Sequence, residues 1–201
     1  MALTVGVRSA GARGTVSPVR AREPDRSGDA VRAGVRLHYE VFGDGPATVL
    51  LLPAWSITHS RVWKLQVPYL ARHFRVVAYD PRGNGGSDRP AGPAAYGDDE
   101  LVADAVAVMD EAGVESAVVV GLSMGGRVLL CLAAEHRERV LGALFVAPTL
   151  VLEDHPLSAD FHRVLDTYDG WDKWNSHYWR QDLPGFARFF FGEVFPEPHS
   201  T

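Results

Sequence analysis

Apolar and polar residues alternate in blocks along the middle of the chain. Four short stretches are almost entirely apolar, and they cover residues 48–55, 74–80, 116–123 and 140–148. Such runs are typical of strands that are buried on both faces of a parallel sheet. The intervening residues 59–73, 98–114 and 125–139 carry apolar residues at helical spacing, and Pro68 is expected to kink or break the first of these helices. This order predicts an α/β fold, with a mostly parallel sheet that has helices on both faces.

The two ends of the chain depart from this alternation. Residues 1–34 are rich in Arg, Gly, Ser and Pro, and we predict a disordered basic leader there, or alternatively a basic binding arm. Residues 35–148 form the predicted sheet-and-helix core. Residues 149–201 contain no further buried strand and are interpreted as a partial helical cap. Their aromatic content suits a cap over an apolar pocket, and the alternative is a helical pair that packs on its own aromatic residues.

Composition narrows the class of protein. The net charge is −5, which does not indicate a nucleic-acid partner. No apolar run approaches the ~18 residues that span a bilayer, so we expect no membrane association. The single cysteine, Cys131, lies in an apolar helical stretch and is expected to pack in the core. Because one cysteine cannot form an internal disulfide, a reducing, cytoplasmic location is favoured. The sequence contains no metal-ligand cluster, and we expect neither a metal nor a cofactor.

A candidate reactive serine lies where an apolar stretch passes into a helical pattern, in Gly121-Leu122-Ser123-Met124-Gly125. A G-x-S-x-G string alone is weak evidence for a function. Its context, with a strand before and a helix after, is that of a nucleophile elbow, a sharp turn that forces the serine toward positive φ. Gly121 and Gly125 leave room around such a turn, and Gly126 lets the helix pack close to the sheet. The alternative is a glycine-rich turn with an incidental serine.

Three motifs taken together resemble the α/β-hydrolase superfamily. They are "VVVGLSMGG", "TVLLLPAWSITHSRVW" and "VVAYDPRGNGGSDRP", and the resemblance extends from about Val35 to the end of the chain. It implies a serine nucleophile at Ser123. It also implies an oxyanion hole that is formed by the backbone N–H groups of Met124 and Trp55. The family commonly has His-Gly where this chain has Pro53-Ala54, and the donor at Trp55 is still available after this change.

Four neighbouring residues complete the predicted site. In the loop after the second apolar stretch, Asp80 and Arg82 are expected to hold the turn together rather than to take part in chemistry. Ser56 and His59 lie in the loop after the first apolar stretch and are expected to line the pocket. His59 is interpreted as a polar residue at the rim of that pocket and not as a catalytic residue.

The resemblance also implies residues that the sequence does not supply. In the family the nucleophile is followed along the chain by an acid and then by a histidine, each placed after a later strand. Residues 149–201 contain no such predicted strand, so none of the downstream histidines is assigned as the base. We interpret the fold as incomplete and C-terminally truncated, and the alternative is a genuine short protein that keeps the fold for binding or assembly. The strand at 140–148 then becomes an apolar sheet edge that a partner chain could cover.

The predicted function follows from the serine and from the missing groups. We expect a serine-type hydrolase that acts on an ester, thioester or similar acyl bond in a small, partly apolar substrate. The absent acid and histidine predict that this chain is inactive or crippled. Serine at the turn argues against the epoxide-hydrolase and dehalogenase relatives, which use Asp there. The alternative is a non-catalytic α/β-hydrolase-like binding or regulatory module.

Overall fold

The strands and helices follow the block pattern of the sequence. The computed structural model describes residues 21–55, 57–150 and 160–196. The chain divides into a core unit that ends at Leu150 and a C-terminal unit that begins at Val151. The strands are β1 Arg26–Arg32, β2 Val35–Phe42, β3 Thr48–Leu51, β4 Arg75–Tyr79, β5 Ala117–Leu122 and β6 Val140–Val146. The helices are α1 Val67–Leu70, α2 Asp98–Glu111, α3 Met124–Glu135 and α4 Ser176–Val194.

The described strands form one mixed sheet in the order β1-β2-β4-β3-β5-β6. Strands β3, β4, β5 and β6 pair in parallel, whereas β1 and β2 are antiparallel to their neighbours. One face is covered by α2 and α3, which bury Met109 and Leu129 against the sheet. The other face buries Trp63 and Val67, the latter in α1. The predicted fold class, a mostly parallel sheet with helices on both faces, is therefore confirmed.

The strand β1 was not expected from the sequence. Residues 26–32 pair with β2 along their whole length, so the prediction of a disordered leader over residues 1–34 is wrong for this segment. The segment has the weak apolar pattern RSGDAVR, and only Ala30 of its residues is buried. Its strand conformation comes from the backbone partners that β2 supplies. Residues 1–20 of the predicted leader lie outside the described residues.

The helix predicted over residues 59–73 is also different. It consists of a 3₁₀ turn at Ser60–Trp63 and the short helix α1. Pro68 lies at the start of α1 and not inside a helix. Proline has no N–H and its ring clashes with a preceding helical turn, so a new helix begins there instead of the old one continuing.

The C-terminal unit is helical in the residues that the structure describes. A 3₁₀ turn at Gly170–Lys173 precedes α4, which is kinked at Asp182, two residues before Pro184. Phe186 is fully buried, and its ring packs against those of Trp174 and Trp179. The aromatic residues of this unit therefore pack on one another. Its assignment as a cap stays a prediction.

Candidate active site

Ser123 lies between the end of β5 and the start of α3, in a strained backbone conformation. Its φ is 54° and its ψ is −120°, a region that residues with a side chain rarely adopt. Its N–H donates to the carbonyl oxygen of Val146 at 3.0 Å, and its own carbonyl oxygen accepts from Gly126 N–H at 2.9 Å. The turn is thus tied both to the end of β6 and to the first turn of α3. This is the strand–turn–helix arrangement that the motif predicted.

The three glycines around Ser123 are required by close backbone approaches. A Cβ atom on Gly125 would lie 2.7 Å from the carbonyl oxygen of Pro53, and one on Gly126 would lie 2.5 Å from Cβ of Pro148. A Cβ atom on Gly121 would meet the backbone of Gly125 and Gly126. Such distances are too short for a side-chain carbon. The sharp turn therefore depends on glycine at all three positions.

A second hydroxyl group lies beside that of Ser123. Thr149 Oγ1 is 3.2 Å from Ser123 Oγ, slightly beyond the usual range of about 2.5–3.0 Å for an O–H···O hydrogen bond, and so the two hydroxyl groups form a long hydrogen bond. The N–H of Thr149 donates to the carbonyl oxygen of Ser123 at 3.0 Å. Thr149 follows β6, the parallel neighbour of β5. The carboxyl ends of these two strands bring the two hydroxyl groups together.

The two predicted oxyanion donors lie on elements that meet near Ser123. Met124 is the first residue of α3, where backbone N–H groups have no partner within the helix. Trp55 follows β3, and its carbonyl oxygen accepts from the N–H and the hydroxyl of Thr58, each at 3.1 Å. The close approach of Gly125 to Pro53 places the loop after β3 against the first turn of α3. Ser56 lies outside the described residues.

The loop after β4 is fixed by two buried charged groups. The Asp80 carboxylate accepts from the N–H groups of Ser60 and Gly86, both at 2.8 Å. Arg82 makes a two-point ion pair with Asp104 of α2, with both nitrogen–oxygen distances at 2.6 Å. Burial alone would lower the pKa of Arg82, but the hydrogen bonds and charge of Asp104 hold that pKa above its usual value. These contacts hold the turn together, as expected for this loop.

Comparison with known proteins agrees with this geometry. A family model described as the alpha/beta hydrolase fold matches residues 47–200. The chain belongs to the α/β-hydrolase family. It is 38% identical over 157 residues to 2-hydroxymuconate semialdehyde hydrolase of Pseudomonas sp. strain CF600, a match that covers 72% of this chain and 55% of the relative.

Two further relatives give the same assignment. The chain is 34% identical over 105 residues to 3-oxoadipate enol-lactonase 2 of Acinetobacter baylyi, a match that covers 52% of this chain and 39% of the relative. The crystal structure of a hydrolase from Pseudomonas aeruginosa PA01 superposes with a TM-score of 0.65 at 26% identity, over 89% of this chain and 65% of that chain. This α/β-hydrolase chain therefore spans about half the length of the curated relatives that it matches.

The described histidines of this α/β-hydrolase chain have partners other than Ser123. His59 Nδ1 accepts from the N–H of Arg61 at 3.1 Å and so caps the 3₁₀ turn at Ser60–Trp63. His38 Nδ1 lies 3.1 Å from a carboxylate oxygen of Asp29. His136 is the residue directly after α3, and its Nδ1 lies 4.0 Å from a carboxylate oxygen of Glu138. Within the described part of the core unit, the hydroxyl partner of Ser123 is Thr149 and not a histidine.

Two histidines face a cavity in the core unit. This cavity has a volume of about 330 Å³ and is lined by His38, Glu40, His59, Asp80 and their neighbours. Ser123 is not among the described residues that line it. The role predicted for His59, at the rim of a pocket around the serine, therefore stays a prediction. Among the described residues, no group of three or more His, Cys, Asp or Glu side chains is arranged to hold a metal ion.

Sequence reasoning missed Thr149, which was taken only as the first residue of the cap. A signal for it exists in the chain. Thr149 is a hydroxyl residue directly after an apolar stretch, and that stretch is the next one after the strand that carries Ser123. Since the carboxyl ends of neighbouring parallel strands lie at the same edge of a sheet, the pairing of β5 with β6 was needed to join the two residues.

Proposed function

We propose that Ser123 is the nucleophile of a serine-type hydrolase that acts on an ester, thioester or similar acyl bond. The observation that carries this proposal is the backbone conformation of Ser123. This residue has a φ of 54°, and it lies between a parallel strand and the N-terminus of a helix. Such a turn exposes the hydroxyl above the carboxyl ends of the strands. A strained non-glycine residue is retained only where the surrounding structure holds it, and such residues cluster at functional sites.

The proposed reaction uses the groups around this turn. Ser123 Oγ attacks the acyl carbon and an Oγ–C bond forms, while the hydroxyl proton of Ser123 passes to hydroxide in the solvent and the carbonyl oxygen becomes negatively charged. The N–H groups of Met124 and Trp55 donate to that oxygen, with the α3 N-terminus adding favourable electrostatic potential. When the tetrahedral intermediate collapses, the carbonyl re-forms, the bond to the leaving oxygen or sulfur breaks, and the alcohol or thiol leaves with a proton from solvent while the acyl group stays on Ser123. Water then releases it as a carboxylic acid.

The proposed activity of this polypeptide is low. A serine hydroxyl is a weak nucleophile until a base takes its proton. The described neighbour of Ser123 Oγ is the Thr149 hydroxyl, which is not a base at neutral pH. In serine proteases, loss of the histidine costs about 10⁶-fold in turnover, and the remaining groups leave about 10³-fold over water. We therefore expect acylation of Ser123 that is specific but slow.

The proposed substrate class is small and partly apolar. A relative named as an enol-lactonase acts, by that name, on a lactone, which is a cyclic ester. A serine turn suits the acyl carbon of such a bond because it supplies both the attacking oxygen and donors for the carbonyl oxygen. The individual substrate is set by pocket residues and not by the turn.

A fluorophosphonate probe tests the proposal on the purified chain. We expect slow covalent labelling that disappears in Ser123→Ala, detected by intact-mass spectrometry and by mapping of the labelled peptide. Ser27→Ala changes an exposed serine of β1 and serves as the matched control, with labelling equal to that of the wild type. If the wild type is labelled no faster than Ser123→Ala, the proposal that Ser123 is the nucleophile is refuted.

A non-catalytic binding or regulatory module is the second candidate function. It is favoured by the contact of Ser123 Oγ with Thr149 and by the other partners of the described histidines. A chain of this kind keeps the fold and the turn but leaves Ser123 unlabelled. The same probe experiment therefore separates the two candidates.

A further inference from the structure

The backbone of Thr149 is fixed against that of Ser123. Leu122 of β5 pairs with Val146 of β6, and the chain then turns through Ala147, whose φ is 40°. The last residue of β6 and the segment after it supply a partner to each backbone polar group of Ser123. Val146 O accepts from its N–H at 3.0 Å, and Thr149 N–H donates to its carbonyl oxygen at 3.0 Å. Thr149 therefore keeps its place relative to Ser123 without any side-chain contact.

The side chain of Thr149 has little freedom once its backbone is held. Threonine is branched at Cβ, so few rotamers are available to it. In the observed rotamer its Oγ1 lies 3.2 Å from Ser123 Oγ. Each hydroxyl carries one proton and two lone pairs, so either group can donate while both are neutral. This changes when Ser123 reacts: once its proton has left, Thr149 holds the one proton that the pair still has.

We propose that Thr149 is a positioning residue for Ser123. The Thr149 hydroxyl donates to Ser123 Oγ and holds that oxygen in one orientation. The proposal rests on the proposed role of Ser123 as the nucleophile. In this arrangement the Ser123 proton points away from Thr149, toward solvent or substrate. The hydrogen bond becomes stronger as negative charge develops on Oγ, because a bond to a charged acceptor is about twice as strong as a neutral one.

The predicted consequence for reactivity follows from that change in strength. In the probe reaction a bond forms between Ser123 Oγ and phosphorus, the phosphorus–fluorine bond breaks, and fluoride leaves. The Ser123 proton passes to hydroxide in the solvent. A donor that is stronger in the transition state than in the ground state accelerates this step. Loss of one such hydrogen bond is expected to lower the labelling rate by about tenfold.

The orientation of Ser123 is the first measurement. Thr149→Val removes the hydroxyl and keeps the branched shape, whereas Thr149→Ser keeps the hydroxyl. Three-bond Hα–Hβ couplings of Ser123, measured by NMR, report its χ1 distribution. We expect a single rotamer in the wild type and in Thr149→Ser, and averaging among rotamers in Thr149→Val. Equal couplings in the wild type and in a folded Thr149→Val protein would overturn the proposal.

The labelling rate is the second measurement. We expect Thr149→Val to react with the fluorophosphonate about tenfold more slowly than the wild type and Thr149→Ser to recover most of that loss. Equal rates in wild type and Thr149→Val would also overturn the proposal. Circular dichroism melts establish that both variants fold. If the wild type labels no faster than Ser123→Ala, the proposed function fails, and the couplings alone decide whether Thr149 orients Ser123.

Discussion

Ser123 shows how much a single residue depends on its neighbours. Its φ of 54° is unfavourable for serine, and the cost of such a conformation is of order 1–3 kcal/mol. Three backbone hydrogen bonds to Val146, Gly126 and Thr149 hold it there. The conformation is therefore maintained by the ends of two strands and the start of a helix, and not by the serine itself.

Gly121→Ala tests this dependence at the residue scale. The added Cβ would lie 2.8 Å from Cα of Gly126, so backbone and not a flexible side chain would have to move. We expect destabilisation of about 1–3 kcal/mol, measured by urea denaturation, together with loss of Ser123 labelling. Gly142→Ala is the matched control in β6, because its nearest contact would be an ordinary 3.7 Å to Val118. If Gly121→Ala were as stable as the control, the packing argument for this glycine would be incorrect.

At the scale of elements, Arg82 joins the loop after β4 to α2 through ion pairs with Asp104 and Glu100. The side chains of Arg82 and Asp104 are 2% and 1% exposed. Arg32 of β1 also donates to Asp104, at 3.0 Å. The Asp104 carboxylate thus connects three segments that are far apart in sequence. Asp104 holds Arg82, which lies in the same loop as Asp80; because Asp80 accepts from the N–H of Ser60, Asp104 supports the loop after β3 indirectly.

Asp104→Asn is expected to destabilise the fold strongly. The change leaves the shape but removes the charge that two arginines share, and breaking a buried pair by removing one partner typically costs about 3–5 kcal/mol. The free energy of unfolding from urea titration measures this cost. Asp110→Asn is the matched control in the same helix, because Asp110 is 62% exposed and pairs with Arg139. An exposed pair contributes about 0.2–1 kcal/mol. A similar decrease in the free energy of unfolding in both variants would therefore contradict the larger contribution proposed for the buried pair.

At the scale of the whole molecule, β6 ends the described sheet with apolar residues in contact with solvent. Leu144 is 54% exposed, and Val118 of β5, which pairs with Gly142, is also exposed. An exposed apolar edge strand is a template for pairing with another chain. We propose that a partner chain covers this edge.

No helix in the described residues is long and apolar enough to cross a membrane.

Leu144→Lys tests the behaviour of this edge. A charge on an edge strand opposes strand pairing between molecules, so we expect concentration-dependent self-association of the wild-type chain to decrease in this variant. Sedimentation velocity across a range of concentrations gives the association state. Leu65→Lys is the control, because Leu65 is 72% exposed and lies outside the sheet. A wild-type chain that sediments as a monomer at every concentration would contradict the prediction.

Local sequence was sufficient for the features that have a strong local signal. The apolar stretches predicted β3, β4, β5 and β6, and the helical spacing of apolar residues over 98–114 predicted α2. The glycines at 121, 125 and 126 predicted the turn at Ser123, because a tight backbone path excludes other residues. Residues 26–32 were missed since their strand has few buried side chains of its own.

The sequence by itself determined the α/β class, the order of β3, β4, β5 and β6 along the chain and the position of Ser123 between a strand and a helix. These properties depend on side-chain periodicity and on backbone sterics over a few residues. Only the tertiary structure decided that β6 lies beside β5, that Thr149 meets Ser123, and that Asp104 is shared by Arg82 and Arg32. Those contacts join residues far apart in sequence, and they exist because strand pairing and burial bring together groups that carry no local signal for one another.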